Sequence, residues 1–293
     1  MGPTSYGLRG IAQMAVASGQ VPIGPAGMGL VAWLGLLAGV AIWLAHSPRS
    51  HGRVARFAST GFGRVGAWLR HRVGVEATAL LALLLGLGLA MLVGLGSTVL
   101  LEDVLEGEGL AEFDEPAARW LAANREPWLT SSLLVLTRMG DPARQTLWMV
   151  LVCIVAAYCS RSFVPAVVGA AGGGGIGLVI LTAKRLVGRD RPNAPSAVIS
   201  VDGFSFPSGH AAGAAAVGTV CAWMLCRWVV HRWAAQVAVW AATITVIMLI
   251  GFSRAYLGVH YLTDVLAGWL VGTAWAGAVI VVASWWSSVR TQR

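Results

Sequence analysis

Charge is what this sequence has least of. Only 12% of its 293 residues are Asp, Glu, Lys or Arg, about half the share usual in soluble domains. Lysine is nearly missing altogether, a single Lys184 standing against twenty arginines. Together with 57% hydrophobic residues and a mean hydropathy of +0.71, these shortages exclude a soluble globular protein and leave an integral membrane protein. Cysteine is scarce too. Cys153, Cys159, Cys221 and Cys226 all fall in or at the ends of apolar runs, with neither metal-ligand spacing nor a disulfide framework, and read as small packing groups. The ten-residue alternation with regular turns that marks a membrane β-barrel is absent. Tyr6 stands where a myristoylation signal needs Ser or Thr, so no lipid anchor is implied.

What is present is long apolar runs. A helix rises about 1.5 Å per residue, so about 20 residues cross a hydrocarbon core of about 30 Å. On that measure seven spans are predicted, at about 27–46, 77–100, 146–160, 165–183, 210–230, 233–252 and 262–285. The first could be a signal peptide, but it lacks a basic flank, LAHS is a poor cleavage site, and removal would leave six arginines outside. It reads as a membrane helix.

The net charge of +8 is distributed in a way that speaks for topology rather than nucleic acid. Arg49, Arg53, Arg56, Arg64, Arg70 and Arg72 lie between the first two spans, while residues 101–115 hold seven acids and no base. The positive-inside rule makes the first segment cytoplasmic, with anionic lipid as its natural neighbour. Seven spans then put the amino terminus outside, and Arg161, Arg227, His231 and Arg232 inside.

Two units follow: residues 1–75, an extension with one span and the arginine-rich linker, in which RVGAWLRHRV suits an interfacial amphipathic helix; and residues 76–293, the functional unit. FDEPAARWLAANREPWL reads as a short interfacial helix with an aspartate cap. The run GAAGGGGIG at 169–177 weakens a helix, yet permits close helix contact. It reads as tight packing rather than a phosphate loop, since the spacing lacks GxxxxGK[ST].

Three polar segments share the outer face under this topology: KRLVGRDRP (184–192), SFPSGHAAG (205–213) and SRAYLGVHYLTDVLAG (253–268). Lys184, Arg185, Arg189 and Arg191 violate the positive-inside pattern unless an anion answers them, and arginine forks suit phosphate oxygens. Ser208 and Gly209 open a helix, which is either a plain cap or an anion site. His210 can donate a proton near neutral pH. His260 and Asp264, four residues apart, are neighbours on one helix face, either a local polar pair or a nucleophile with its orienting carboxylate. Ionisable groups at membrane depth are functional by default. Two histidines, an aspartate, several cations and a helix start compose a phosphoryl-transfer site.

In order and spacing, KxxxxxxRP (Lys184, Arg191, Pro192), PSGH (Pro207 to His210) and SRxxxxxHxxxD (Ser253, Arg254, His260, Asp264) resemble the three motifs of the type 2 phosphatidic acid phosphatase (PAP2) superfamily. The resemblance extends over about residues 76–285. It implies an all-α integral membrane fold, a six-helix transmembrane core, to which this chain adds one amino-terminal span. It further implies hydrolysis without metal or cofactor through a phosphohistidine: His260 as nucleophile, Asp264 orienting it, His210 as general acid, and Lys184, Arg191, Ser208, Gly209 and Arg254 holding phosphate. The implied substrate is a membrane lipid phosphate (polyprenyl diphosphate or phosphate, phosphatidate or phosphatidylglycerol phosphate) met on the extracytoplasmic face of a bacterial plasma membrane. A phosphotransferase could use the same histidine, and a non-catalytic lipid transporter or scaffold is the alternative of another class. No nucleic-acid partner is expected, and the sequence sets no oligomeric state.

Overall fold

A computed structural model describes residues 24–46, 102–104, 106, 108–192 and 197–290. The predicted span at 77–100 and the arginine-rich segment at 49–72 lie outside the described residues. Within them the chain is all-helical: α1 (Pro25–His46), α2 (Asp114–Ala123), α3 (Pro127–Thr137), α4 (Pro142–Ser160), α5 (Val164–Val187), α6 (Gly209–Trp228), α7 (Trp233–Tyr256) and α8 (Leu262–Arg290). Six of these, α1 and α4 to α8, are long and apolar enough to cross a membrane. They coincide with six of the seven predicted spans, and the chain is a multi-pass membrane protein.

Helix ends move the motifs relative to their predicted places. α4 opens at Pro142, whose missing N–H suits the first helical position. α5 runs to Val187 and stops at Gly188 in the left-handed conformation (φ 63°), so Lys184 and Arg185 sit on its last turn, where the helix dipole favours cations. α7 likewise continues through Ser253 and Arg254 to Tyr256. α3, PWLTSSLLVLT, is a helix too short to span, and its Leu129, Leu133 and Thr137 are buried.

α6 is the central helix. Its apolar window is 61% buried, against at most 28% for any other candidate span, and α4, α5, α7 and α8 all pack on it. Its closest neighbour is α8. A Cβ at Gly272 would collide with the Ala212 carbonyl and one at Gly268 with that of Ser208, so these two glycines allow near backbone contact. α1 packs along α7. Its first turn meets Glu126, whose carboxylate accepts the Gly27 N–H (3.0 Å) and the Trp128 indole N–H (2.7 Å). The negative charge thereby lies at a helix amino terminus. The carboxy ends of α5 and α7 and the amino ends of α1, α4, α6 and α8 gather at one end of the bundle, while the α4–α5 and α6–α7 turns, with Arg161 and Arg232, lie at the other.

Candidate active site

All three polar segments meet at the first of these ends. The joint between two of them is a backbone bond: Ser208 N–H donates to the Asp264 carbonyl (3.0 Å), made possible by the close approach of α8 to α6 at Gly268.

The His260–Asp264 pair forms as the four-residue spacing predicts. Nδ1 of His260 lies 3.4 Å from Oδ2 of Asp264, and both residues are buried. The same Oδ2 accepts the Tyr261 N–H (2.9 Å) and the Ser205 hydroxyl, which itself lies 3.3 Å from Nδ1. With Nδ1 turned to the carboxylate, the other nitrogen, Nε2, faces Arg191 Nη1 at 3.2 Å. Nδ1–H toward Asp264 and a lone pair on Nε2 satisfy both contacts, so Nε2 is the nitrogen able to attack. Burial pushes the His260 pKa down to about 4, against the raising pull of Asp264, which keeps the ring neutral at ordinary pH.

The cations divide into two kinds. Arg189 is saturated by carboxylates: Nη1 donates to Asp264 Oδ1 (2.7 Å) and Nη2 to Asp114 Oδ2 (2.8 Å), and its guanidinium stacks 4.4 Å from the Tyr261 ring centre. Part of the positive charge that seemed to call for an external anion is therefore answered inside the protein. Arg191 is anchored to the loop backbone at Gly203 (2.9 Å) and Val259 (2.6 Å) while presenting Nη1 to His260. Lys184 Nζ donates to the Phe204 carbonyl and lies 3.5 Å from that of Ser205. Arg254 is 2% exposed and gives Nη1 to Thr137 Oγ1 (2.9 Å).

Two predicted caps are corrected. Asp114 does not cap α2; it is the first residue of that helix, buried, with its carboxylate turned inward to Arg189, the Thr263 N–H in the first turn of α8 (3.1 Å) and the Thr263 hydroxyl. Ser208 occupies the N-cap position of α6, but its hydroxyl makes no capping bond. Among the described residues only two buried side-chain polar atoms lack a partner, Ser208 Oγ and Arg254 Nε. Buried polar atoms in proteins are nearly always satisfied, and these two belong to two different motifs at the same end of the bundle. Gly209, beside Ser208, opens α6.

His210 lies apart from the His260 cluster on the α4 side. Its Nε2 is 3.1 Å from Asp141 Oδ1, and Asp141 also holds Arg144 (2.6 Å). Asp141, Ser205, Asp114 and Thr263 are the site residues that sequence reasoning missed, and Arg189, which it read as answering an external anion, answers Asp114 and Asp264 instead. Asp114 and Asp141 each stand near a proline at a helix start, the position of an ordinary cap.

With this geometry in place, relatives can be compared. Residues 146–288 match the model of the PAP2 superfamily. The chain carries a PAP2 superfamily domain. Phosphatidylglycerophosphatase B of Bacillus subtilis (strain 168) is 28% identical over 177 residues, 59% of this chain and 85% of that one. The crystal structure of a transmembrane PAP2-type phosphatidylglycerolphosphate phosphatase from Bacillus subtilis superposes with a TM-score of 0.59 at 25% identity, covering 65% of this chain and 93% of that one. The matched region begins after Asp114 and Asp141, so both acids reach the site from outside it. The chain is a PAP2 phosphatase homologue, an enzyme of the hydrolase class embedded in a membrane.

Proposed function

We propose that this PAP2 protein hydrolyses the phosphate ester or diphosphate of a membrane lipid at the outer leaflet, through a phosphohistidine on His260. The observation that carries the reading is the pair of unpartnered buried atoms, Ser208 Oγ and Arg254 Nε, beside a neutral histidine whose Nε2 lone pair is turned to the Arg191 guanidinium. A phosphoryl group supplies the acceptors that both donors lack.

In the first step the Nε2 lone pair of His260 forms a bond to phosphorus as the P–O bond to the lipid breaks, and His210 gives its proton to the departing oxygen. Asp264 stabilises the cationic ring that results. Lys184, Arg191, Arg254, Ser208 and the amide of Gly209 bind the non-bridging oxygens, where charge is densest in the transition state. In the second step water attacks the phosphohistidine, His210 takes its proton, and the N–P bond breaks to release inorganic phosphate. No metal is assigned a part. Substrates of the proposed class include phosphatidylglycerol phosphate, the lipid in the name of the relatives, together with phosphatidate and polyprenyl diphosphate.

Placement at the extracytoplasmic face of the plasma membrane rests on charge. At the site end Arg189 is neutralised by two aspartates. At the other end Arg161, Arg227 and Arg232 mark the cytoplasmic side under the positive-inside rule.

The test is phosphate release from a panel of lipid phosphates by purified protein in detergent. His260→Ala is expected to lower turnover by at least about a thousandfold, while wild type in excess EDTA stays active. Full activity in the variant would sink the mechanism, EDTA inhibition would point to a metal, and stoichiometric phosphorylated acceptor without free phosphate would make the chain a transferase.

A further inference from the structure

The glycine run of α5 is two sets of residues with different surroundings. Gly169, Gly172 and Gly175 pack so closely that an added Cβ would press on Cys153, Val220 and the Trp275 ring respectively. This is the tight packing that the sequence suggests. Gly173, Gly174 and Gly177 are the opposite: among the described residues, a Cβ at any of them meets nothing within 4 Å. They line a groove of about 910 Å³ between α4 and α5, floored by α6.

At one end the groove reaches the His210 side of the candidate active site, for Lys184, Gly209 and His210 are in its wall. From there it follows α5 back to Ala166, eighteen residues or about 27 Å at 1.5 Å per residue. A single leaflet accounts for about 15 Å of a hydrocarbon core about 30 Å thick, so the groove continues past the middle of the bilayer. Its wall is apolar apart from the site end and a few small polar groups such as Thr146 and Cys153.

We infer that this groove holds one extended hydrocarbon chain of the lipid phosphate, and that Gly177 and Gly173 set how long a chain it admits. The inference rests on the phosphatase reading of the site. The occupant follows from continuity: the phosphate that satisfies Ser208 Oγ and Arg254 Nε carries its own tail, and the groove leaves the same site. Depth supplies a ruler. Gly177 lies seven residues from Lys184, about 10 Å down the groove, and Gly173 eleven residues, about 16 Å. An extended carbon chain advances about 1.2 Å per bond, as extended backbone does. Eight carbons therefore end above Gly177, twelve pass it, and sixteen pass Gly173. A leucine at either position blocks the groove at that depth without its Cβ meeting an atom of the described residues.

The experiment measures kcat/KM for release of phosphate from saturated single-chain alkyl monophosphates of eight, twelve and sixteen carbons. Gly177→Leu is expected to match wild type within about twofold on eight carbons and lose about tenfold on twelve and sixteen, two or more buried methylenes being worth that much. Gly173→Leu is expected to lose about tenfold on sixteen carbons alone. A second readout needs no variant: wild-type kcat/KM is expected to rise with length up to sixteen carbons. Variants that change all lengths equally or none, or a wild-type plateau already at eight carbons, would overturn the inference and assign the groove to bulk lipid. If wild type releases no phosphate at any length, the phosphatase reading itself fails and the inference with it.

Discussion

Asp264 has no idle oxygen. Oδ1 takes Arg189, and Oδ2 takes Ser205, Tyr261 N–H and the His260 ring. A buried carboxylate is tolerated only when it is paired and hydrogen-bonded on all sides, and here each bond also narrows the freedom of the histidine. The ring that results is neutral. Because burial lowers its pKa to about 4 from the usual 6.5, the attacking form is lost only as pH falls through that lower value. The acid limb of kcat/KM is accordingly expected at least one unit below 6.5, in a profile measured from about pH 3.5 to 8. An acid limb at 6.5 that disappears in His260→Ala would show a ring exposed to water and contradict the burial. The His260–Asp264 pair was legible in the sequence because four residues on a helix are neighbours by geometry alone. His210–Asp141 and Arg189–Asp114 were not, since their partners are 69 and 75 residues apart and no local pattern marks such a meeting.

Among the elements, α2 is tied into the site. Its first residue reaches Arg189, which reaches Asp264, which holds His260, a chain of four side chains running from α2 to the imidazole of the proposed nucleophile. Asp114 is a positioning residue that touches no reacting atom. Asp114→Asn keeps the shape and removes the charge. It is expected to lower kcat about ten- to a hundredfold, the range seen when outer-shell partners of a site are removed, with KM within about twofold and Asp114→Glu restoring part of the loss. Unchanged kcat would leave α2 a surface anchor only, and a rise in KM alone would place Asp114 on the substrate. The helices themselves were largely readable because long apolar runs admit no other structure in lipid. Their ends were less so: α5 and α7 extend past the predicted loop boundaries, carrying Lys184 and Arg254 on helical turns. α3 is shorter than any membrane yardstick detects.

For the molecule as a whole, the decisive quantity is which end faces out. In a variant whose four cysteines are replaced by alanine, Asp202→Cys at the site end is expected to react with a membrane-impermeant maleimide on intact cells. His231→Cys at the other end is expected to react only after permeabilisation. The reverse pattern would put the site inside and overturn the outer-leaflet assignment. Both positions are exposed. The three motifs foretold the PAP2 domain, but not how the amino-terminal span would lie against it. That span is fastened by Glu126 and laid along α7. α1 leaves the ribosome ahead of the other described helices, and α7 begins 187 residues after α1 ends. At about 5–20 residues per second, α1 waits about 10–40 s for its neighbour. Its first turn waits for Glu126 and its flank waits longer still, for α7, so a helix made early is among the last to find its place.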